Sequence, residues 1–158
     1  MPNSIHSIYG NKVRIRICGI CVIDNKLLMV NHKGLGKGNL WAPPGGGIEP
    51  GESTNHALER EIREETNLSV SVGEMLFATE FIDPPLHAIE LFFTVESRGG
   101  VLKIGQDPEM ELENQILTEV KFFSWKEIEE LDPDQVHGIF KKVSNPVEIL
   151  DLRGYFKL

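Results

Sequence analysis

The sequence is poor in basic residues, in cysteines and in long apolar runs. It contains 16 Lys and Arg against 24 Asp and Glu, which gives a formal net charge of −8. Nonspecific binding to nucleic acid or to an anionic membrane needs clustered cationic side chains, so this balance argues against both partners. A small anionic substrate is compatible with it if cations are recruited locally.

Segments that would direct the chain into a membrane are also missing. No N-terminal segment combines a basic start with a long apolar run, and no apolar stretch reaches the roughly 18 to 20 residues needed to cross a bilayer. We therefore expect a cytoplasmic protein. Its 158 residues, of which 41% are hydrophobic and 25% charged, contain no internal repeat or linker and are typical of one globular domain spanning residues 1–158.

The two cysteines, Cys18 and Cys21, form a C-x-x-C pair. This spacing can indicate thiol redox chemistry or half of a zinc site. No second pair or nearby histidine completes a zinc site, and the surrounding sequence VRIRICGICVI is typical of a strand, on which residues three apart point to opposite faces. We expect two buried, reduced thiols.

The order of the predicted elements mixes hairpins with helices. Strands are predicted at KVRIRICGICVI, KLLMVNH, SVSVGEMLFATEFI, HAIELFFTVES and EVKFFSW, with a hairpin turn at Asp24-Asn25. A helix capped by Ser53 or Thr54 is predicted to run to about Thr66, and KEIEEL and PDQVHGIFKKV are predicted to be helices. This order predicts an α/β fold with a mixed sheet and helices on both of its faces. The polar segment 98–114 is predicted to be a connection that lies over a site.

The segment GGGIEPGESTNHALEREIREETNL, residues 45–68, concentrates acidic residues on one helix face. On a helical wheel Glu65 lies about 40° to one side of Glu61 and Glu64 about 60° to the other, and such crowding is repulsive. A solvated, salt-bridged surface explains most glutamate-rich helices, but it explains neither the preceding glycine loop nor the narrow acidic face. A hard divalent cation such as Mg²⁺ explains both, because it prefers carboxylate and carbonyl oxygens. Arg60 is spaced to pair with Glu64 or to reach back to Glu52.

This segment resembles the Nudix box. Its pattern is Gly, five residues, Glu, seven residues, Arg-Glu, an aliphatic residue, any residue, Glu-Glu, any residue, Gly and an aliphatic residue. Asn67 departs from the pattern at the final Gly, but Asn is the residue after Gly that best tolerates the left-handed conformation that ends a helix. The residues that match in register are Gly46, Glu52, Arg60, Glu61, Ile62, Glu64, Glu65 and Leu68.

The resemblance implies a Nudix fold, an α/β/α sandwich with a mixed sheet, and hydrolysis of a nucleoside diphosphate linked to another moiety. It implies Mg²⁺ or Mn²⁺ as cofactor, held by Glu61, Glu64, Glu65 and the backbone carbonyl of Gly45. Glu61 is also a candidate general base, and Glu52 and Arg60 would hold the loop against the helix. The substrate contacts expected beside them are Gly46, Gly47 and Trp41.

Several assignments stay open at this point. A further acid that acts as ligand or base could be Glu109, Glu111 or Glu113 in the late loop, or Glu90 on its strand, although each alone is more simply a solvated acid. Trp41, Phe81 or Phe92 could stack on a base, although each is more simply a core residue. The histidines are read as surface or loop residues without a role: His32, His87 and His137.

The substrate and the catalytic status also have alternatives. Pro84, about sixteen residues beyond the box, resembles the ADP-ribose pyrophosphatase type, and a tyrosine typical of dinucleoside polyphosphate hydrolases is missing. This ranks ADP-ribose or a nucleotide sugar first, a nucleoside triphosphate second and RNA ends third. A nucleotide-sensing module without catalysis is the alternative function, but the complete set of acids favours the enzyme. The number of metal ions and a homodimeric state are left undecided.

Overall fold

The computed structural model describes residues 5–35, 38–106, 108 and 115–158. Within these ranges the helices are α1 (Ile5–Tyr9), α2 (Thr54–Thr66) and α3 (Trp125–Glu129), and 3₁₀ turns cover Pro133–Gln135, Gly138–Lys142 and Pro146–Leu150. The strands are β1 (Lys12–Ile20), β2 (Val22–Ile23), β3 (Lys26–Lys33), β4 (Asn39–Ala42), β5 (Gly45–Gly47), β6 (Ser69–Asp83), β7 (Leu86–Gly99), β8 (Leu117–Ser124) and β9 (Gly154–Lys157).

The strands form two sheets. The first has five strands in the order β5-β1-β7-β6-β9, and it is mixed because β1 runs parallel to β7 and β6 parallel to β9, while the other pairs are antiparallel. The second contains β2, β3 and β4, with β8 on the other side of β3. The β2–β3 hairpin turns at Asp24 and Asn25, both left-handed with φ of 50° and 61°, as their sequence predicts.

Helices and turns cover the strands from two sides. On one side α2 packs its buried residues Ala57, Leu58 and Ile62 against Ile17 of β1 and Leu28 of β3. On the other side α3 and the 3₁₀ turns contribute Ile128, Ile139 and Ile149 to a second core cluster. The predicted α/β class, with an α/β/α arrangement around mixed strands, is therefore confirmed.

Two predictions of local structure were wrong. KVRIRICGICVI is not one strand, because the chain leaves the first sheet after Ile20 and enters the second at Val22. PDQVHGIFKKV is not an α-helix but two 3₁₀ turns, separated at Val136. Each turn begins at a side chain that binds the backbone two residues later, Asp132 to Asp134 N–H and His137 to Ile139 N–H, and such local bonds compete with helix formation.

The cysteines behave as expected from the sequence. Cys18 and Cys21 are free, buried and packed in different core clusters. Burial raises the pKa of the Cys21 thiol to about 11, and burial together with Glu90 raises that of Cys18 well above its usual value. Both thiols are therefore protonated at neutral pH, so they are poor nucleophiles and poor metal ligands.

No helix in the described part of the chain is both long and apolar enough to span a bilayer.

Candidate metal centre

The candidate centre is formed where the glycine strand β5 meets helix α2. β5 is paired with β1, so that Gly46 lies opposite Ile17. A Cβ atom at Gly46 would collide with the carboxylate of Glu61, and one at Gly45 would collide with the backbone oxygen of Ile17. A side chain at Gly45 would therefore push β5 away from β1, whereas one at Gly46 would displace the Glu61 carboxylate from β5.

Helix α2 is fixed at both ends. Ser53 is the N-cap, and its hydroxyl accepts a hydrogen bond from His56 N–H at 3.2 Å. Asn67 ends the helix with φ of 65°, donating its N–H to Arg63 O at 3.0 Å and its side-chain amide to Val101 O at 2.9 Å. The predicted left-handed end is thus confirmed, and Asn fills it without glycine.

The described part of the acidic connection lies against the C-terminal end of α2. Lys103 N–H donates to Thr66 O at 3.0 Å, and Gly105 N–H donates to Glu65 O at 2.9 Å. These bonds satisfy carbonyl groups that a helix end leaves without partners. Residues 107 and 109–114 lie outside the described residues, and so do the candidate acids Glu109, Glu111 and Glu113.

Arg60 joins the loop to the helix. Its Nε donates to Glu52 Oε1 at 2.7 Å, and its Nη2 donates to Glu52 Oε2 at 3.0 Å and to Gly47 O at 3.2 Å. The hydrogen bond from Arg60 lowers the pKa of Glu52 to about 2. Bidentate pairing of this kind fixes direction as well as distance, so Arg60 holds both the loop and β5 on the acidic face of α2.

The three glutamates of the shared face surround the same region. Arg60 Nη1 donates to Glu61 Oε1 at 2.9 Å and lies 3.4 Å from Glu64 Oε2. Glu65 is buried, and its Oε1 accepts a hydrogen bond from Gly45 N–H at 3.4 Å. Burial raises the pKa of Glu61, an effect that Arg60 opposes and Glu64 reinforces. A carboxylate with a raised pKa is a better proton acceptor near neutral pH.

The residues fit a divalent cation, although they are not yet arranged around one. Among the described residues, no three His, Cys, Asp or Glu side chains converge closely enough to hold an ion. Glu61 and Glu64 both contact Nη1 of Arg60. The donor set consists of oxygen atoms, which Mg²⁺ and Mn²⁺ prefer, and the absence of a side chain at Gly46 lets the Glu61 carboxylate lie against β5. A cation would therefore compete with Arg60 for these carboxylates.

A second polar cluster lies on the sheet next to β5, on strands β1, β7 and β6. The sequence alone did not predict most of its members. Glu90, on β7, is 4% exposed, and its Oε2 accepts from Arg16 Nη1 at 2.8 Å while its Oε1 accepts from Thr79 at 3.3 Å. Burial alone would raise the pKa of Glu90, but the contacts of Arg16 and His137 outweigh it and hold the pKa well below its usual range. Arg16 Nη2 in turn lies 3.5 Å from Gly45 O. Glu90 therefore positions the Arg16 guanidinium beside the Gly45 carbonyl of β5.

His137 completes this cluster, and its interpretation as a surface or loop residue without a role was incomplete. It lies between 3₁₀ turns but is only 6% exposed. Its Nδ1 accepts a hydrogen bond from Ile139 N–H at 3.1 Å, so Nε2 must carry the hydrogen and donate it to Glu90 Oε1 at 2.7 Å. No local signal in the sequence links these residues, because they are 47 positions apart.

The other candidate side chains differ in how far they are exposed to solvent. Trp41 is 8% exposed and packs edge-on against Phe123, and Phe92 is fully buried against Phe77, so neither offers an open ring face to a substrate. Phe81 is 36% exposed. His87 Nε2 lies 3.1 Å from Glu80 Oε1. The pKa of His32 is lowered to about 4, mainly by burial and secondarily by the positive charge of Arg16.

Comparison with known proteins extends this description. The NUDIX domain model matches residues 13–142. The chain is 37% identical over 95 residues to an ADP-ribose pyrophosphatase of Methanocaldococcus jannaschii, covering 59% of this chain and 56% of that protein. It is 41% identical over 70 residues to the nucleoside triphosphatase NudI of Escherichia coli, covering 42% and 45%. The matched regions therefore span about half the length of these curated relatives.

A solved structure shows that the likeness extends to the fold. The NUDIX hydrolase from Nitrosomonas europaea superposes with a TM-score of 0.68 at 20% identity, over 89% of each chain. At this identity the similarity supports a common fold and no finer conclusion.

Proposed function

Because the chain belongs to the NUDIX domain family, we propose that it hydrolyses the pyrophosphate bond of a nucleoside diphosphate linked to another moiety, with Mg²⁺ or Mn²⁺ as cofactor. The observation that carries this proposal is the position of three carboxylates, Glu61, Glu64 and Glu65, on one face of α2 against the glycine strand. The chain has an excess of acids and still concentrates them here, and Arg60 offsets their repulsion only in part.

In this proposal the residues of the centre have three roles: binding the cation, accepting a proton and positioning the loop. Glu61, Glu64, Glu65 and the carbonyl of Gly45 would hold the cation, which when bound neutralises the diphosphate and lowers the pKa of the attacking water. Glu61 is also the candidate proton acceptor, as the resemblance to the family implies. Arg60 and Glu52 would keep the loop and α2 in a fixed relation while the acids and the Gly45 carbonyl bind the cation.

ADP-ribose or a related nucleotide sugar is the first substrate in this proposal. Pro84 supports it, and so does the relative from Methanocaldococcus jannaschii that is named an ADP-ribose pyrophosphatase. The likeness to a nucleoside triphosphatase keeps nucleoside triphosphates in second place.

A screen of nucleotide substrates with Mg²⁺ and with Mn²⁺ tests both levels of the proposal. We expect cleavage of ADP-ribose to AMP and ribose 5-phosphate with a higher kcat/KM than that of ATP or diadenosine polyphosphates. Faster turnover of a nucleoside triphosphate would remove the ADP-ribose assignment and leave the hydrolase assignment intact. Tight nucleotide binding without cleavage of any substrate would favour the sensing module instead.

Further expectations from the sequence belong to this proposal. Residues 1–158 form one domain, the protein acts in the cytoplasm, and its partner is a small nucleotide rather than nucleic acid or a membrane. A homodimer is compatible with all of them. Light scattering and the cooperativity of unfolding test the oligomeric state and the single domain directly.

A further inference from the structure

The sheet face that carries Arg16 is organised in rows of side chains across β1, β7 and β6. Residues in register on neighbouring strands share a face. Two contacts confirm this: Phe77 stacks on Phe92 with ring centroids 4.5 Å apart, and Glu90 accepts hydrogen bonds from both Arg16 and Thr79. From the core outward, the rows are Cys18, Phe92 and Phe77, then Arg16, Glu90 and Thr79, then Arg14, Ala88 and Phe81. We call the third set the rim row.

The rim row is where this face opens to solvent. Arg14 and Ala88 are half-buried, and Phe81 is exposed. The Cα atoms of Arg14 and Phe81 are two strand spacings apart, about 10 Å, and Ala88 between them adds only a methyl group above the sheet. A planar ring system could lie over Ala88 with Phe81 on one side and Arg14 on the other.

In the described part of the chain, Arg14 has terminal N–H donors available to a ligand, whereas both terminal nitrogens of Arg16 are engaged and its Nε is buried without a partner. Arg16 directs Nη1 to Glu90 and Nη2 to Gly45 O. Arg14 lies over the ring of Tyr9, 4.0 Å from its centroid, and no carboxylate in the described part of the chain forms an ion pair with it. A stack on an aromatic ring uses the face of the guanidinium and leaves its in-plane N–H groups free. Burial, followed by Arg16, lowers the pKa of Arg14 to about 10, so it is a cation at neutral pH that a bound anion would stabilise.

The rim row is continuous with the candidate metal centre. Arg14 and Arg16 are two residues apart on β1, or about 7 Å along the strand, and Arg16 contacts the carbonyl of Gly45. The charge of Glu61 contributes to the pKa of Arg14, so the guanidinium lies within electrostatic reach of the acidic face of α2. A diphosphate bound at that face therefore has a cation beside it along β1.

We propose that the rim row binds the nucleoside end of the substrate, with Arg14 donating to a phosphate oxygen and Phe81 stacking on the base above Ala88. The proposal rests on the proposed function for its substrate class, a nucleoside diphosphate. Arg14 and Phe81 determine affinity for the nucleotide, whereas the carboxylates of α2 serve the cation.

Calorimetric titration at a fixed Mg²⁺ concentration tests this with two probes, ADP and inorganic pyrophosphate. Arg14→Gln removes a charged donor, so we expect it to weaken both probes about tenfold or more. Phe81→Ala removes the stacking surface, so we expect it to weaken ADP about tenfold and to leave pyrophosphate within about twofold, because pyrophosphate has no base. If Phe81 had only a structural role, Phe81→Ala would weaken the binding of ADP and of pyrophosphate equally.

Matched controls use the same strands. Arg98→Gln makes the same charge change at an exposed position of β7, and Ile82→Ala shortens the exposed neighbour of Phe81 on the opposite face of β6. Both should leave the two probes within about twofold. Thermal melting checks that each variant folds, and Phe81→Leu, which keeps apolar bulk without the flat ring, replaces Phe81→Ala if the latter unfolds.

The outcomes separate this inference from the proposed function. If the wild type hydrolyses a linked nucleoside diphosphate but Arg14→Gln and Phe81→Ala bind ADP normally, the rim row is not the nucleotide site and only this inference fails. An equal loss of ADP binding in Ile82→Ala would also overturn it. If the rim variants lose ADP as expected but the wild type cleaves no nucleotide, the inference stands and the hydrolase assignment fails.

Discussion

Asn67 shows that a departure from a sequence pattern can be interpreted when the requirement is local. The family pattern has Gly where this helix must end in a left-handed conformation, and Asn67 adopts φ of 65° there. The requirement depends on the backbone of a single residue, so it could be predicted before the structure. The side-chain bond to Val101 could not, because it depends on where a residue 34 positions away lies.

A substitution series at Asn67 checks this explanation. Asn67→Gly should keep activity within a few fold, because glycine adopts the same conformation without strain. Asn67→Val should lower the free energy of unfolding by about 1 kcal/mol or more, because a β-branched residue is strained at positive φ. Thermal melting provides the measurement, and equal melting of the Val variant and the wild type would contradict this account of the helix end.

The glutamates of α2 should show opposed effects on stability and activity. The pKa of Glu61 is raised, so its ionised form is disfavoured in the metal-free fold, and Glu61→Gln should leave metal-free stability unchanged or slightly higher. The same change should reduce hydrolysis about 10²- to 10⁴-fold, because a ligand or general base is lost. We expect a large loss of activity for Glu64→Gln and Glu65→Gln as well.

Glu59→Gln is the matched control for these variants. Glu59 lies about 160° from Glu61 around the same helix, so the substitution changes the same charge away from the acidic face. It should retain activity. If the variants of Glu61, Glu64 and Glu65 all hydrolyse the best substrate at the wild-type rate, the carboxylates do not form a metal site.

Among the helices, strands and turns, those specified by residues within their own sequence could be predicted, and those that depend on other contacts could not. Helix α2 carries its caps and apolar stripe within its own sequence, and the turn at Asp24-Asn25 is equally local, so both could be predicted. The irregular segment after α3 could not, because the bonds of Asp132 and His137 to nearby N–H groups determine it more than its apolar spacing. The break at Cys21 arises from the exchange of strands between sheets, which no property of that residue reveals.

Strand β7 carries the element-scale prediction at Glu90. Glu90→Gln would leave Arg16 beside a neutral partner in a largely buried place, so we expect it to lower the free energy of unfolding by about 3 kcal/mol at neutral pH. Glu96→Gln, an exposed change on the same strand, should shift it by less than about 0.5 kcal/mol. Denaturant unfolding measures both, and equal effects would mean that the buried cluster does not stabilise the fold.

The same pair predicts the direction of the pH dependence. The folded-state pKa of Glu90 lies below the ordinary value of 4.5, so its contribution to stability is present above that pH and is lost as the pH falls through the folded pKa. The difference in free energy of unfolding between the wild type and Glu90→Gln should therefore shrink below about pH 4.5. A difference that is constant from pH 7 to pH 3 would show that Glu90 does not act through its charge.

Over the whole molecule, function depends on where charge is placed rather than on its total. The net charge of −8 would repel a nucleotide, yet Arg14 and Arg16 lie on one face of β1 within electrostatic reach of Glu61 on α2. The sequence indicated that cations must be recruited locally for an anionic substrate. It did not identify these arginines, because their position relative to α2 depends on the pairing of β1 with both β5 and β7.

Metal binding should be visible in the stability of the whole domain. A ligand that binds only the folded state at 100 times its Kd adds about 2.7 kcal/mol to the free energy of unfolding. For a chain of this size we expect Mg²⁺ or Mn²⁺ at that level to raise Tm by about 5 to 10 °C. Glu64→Gln should reduce the shift, because a carboxylate that the cation would take from Arg60 is lost, and Glu59→Gln should keep it. A wild type whose Tm does not respond to either ion, or a triple Gln variant of Glu61, Glu64 and Glu65 that keeps the full response, would place the cation elsewhere.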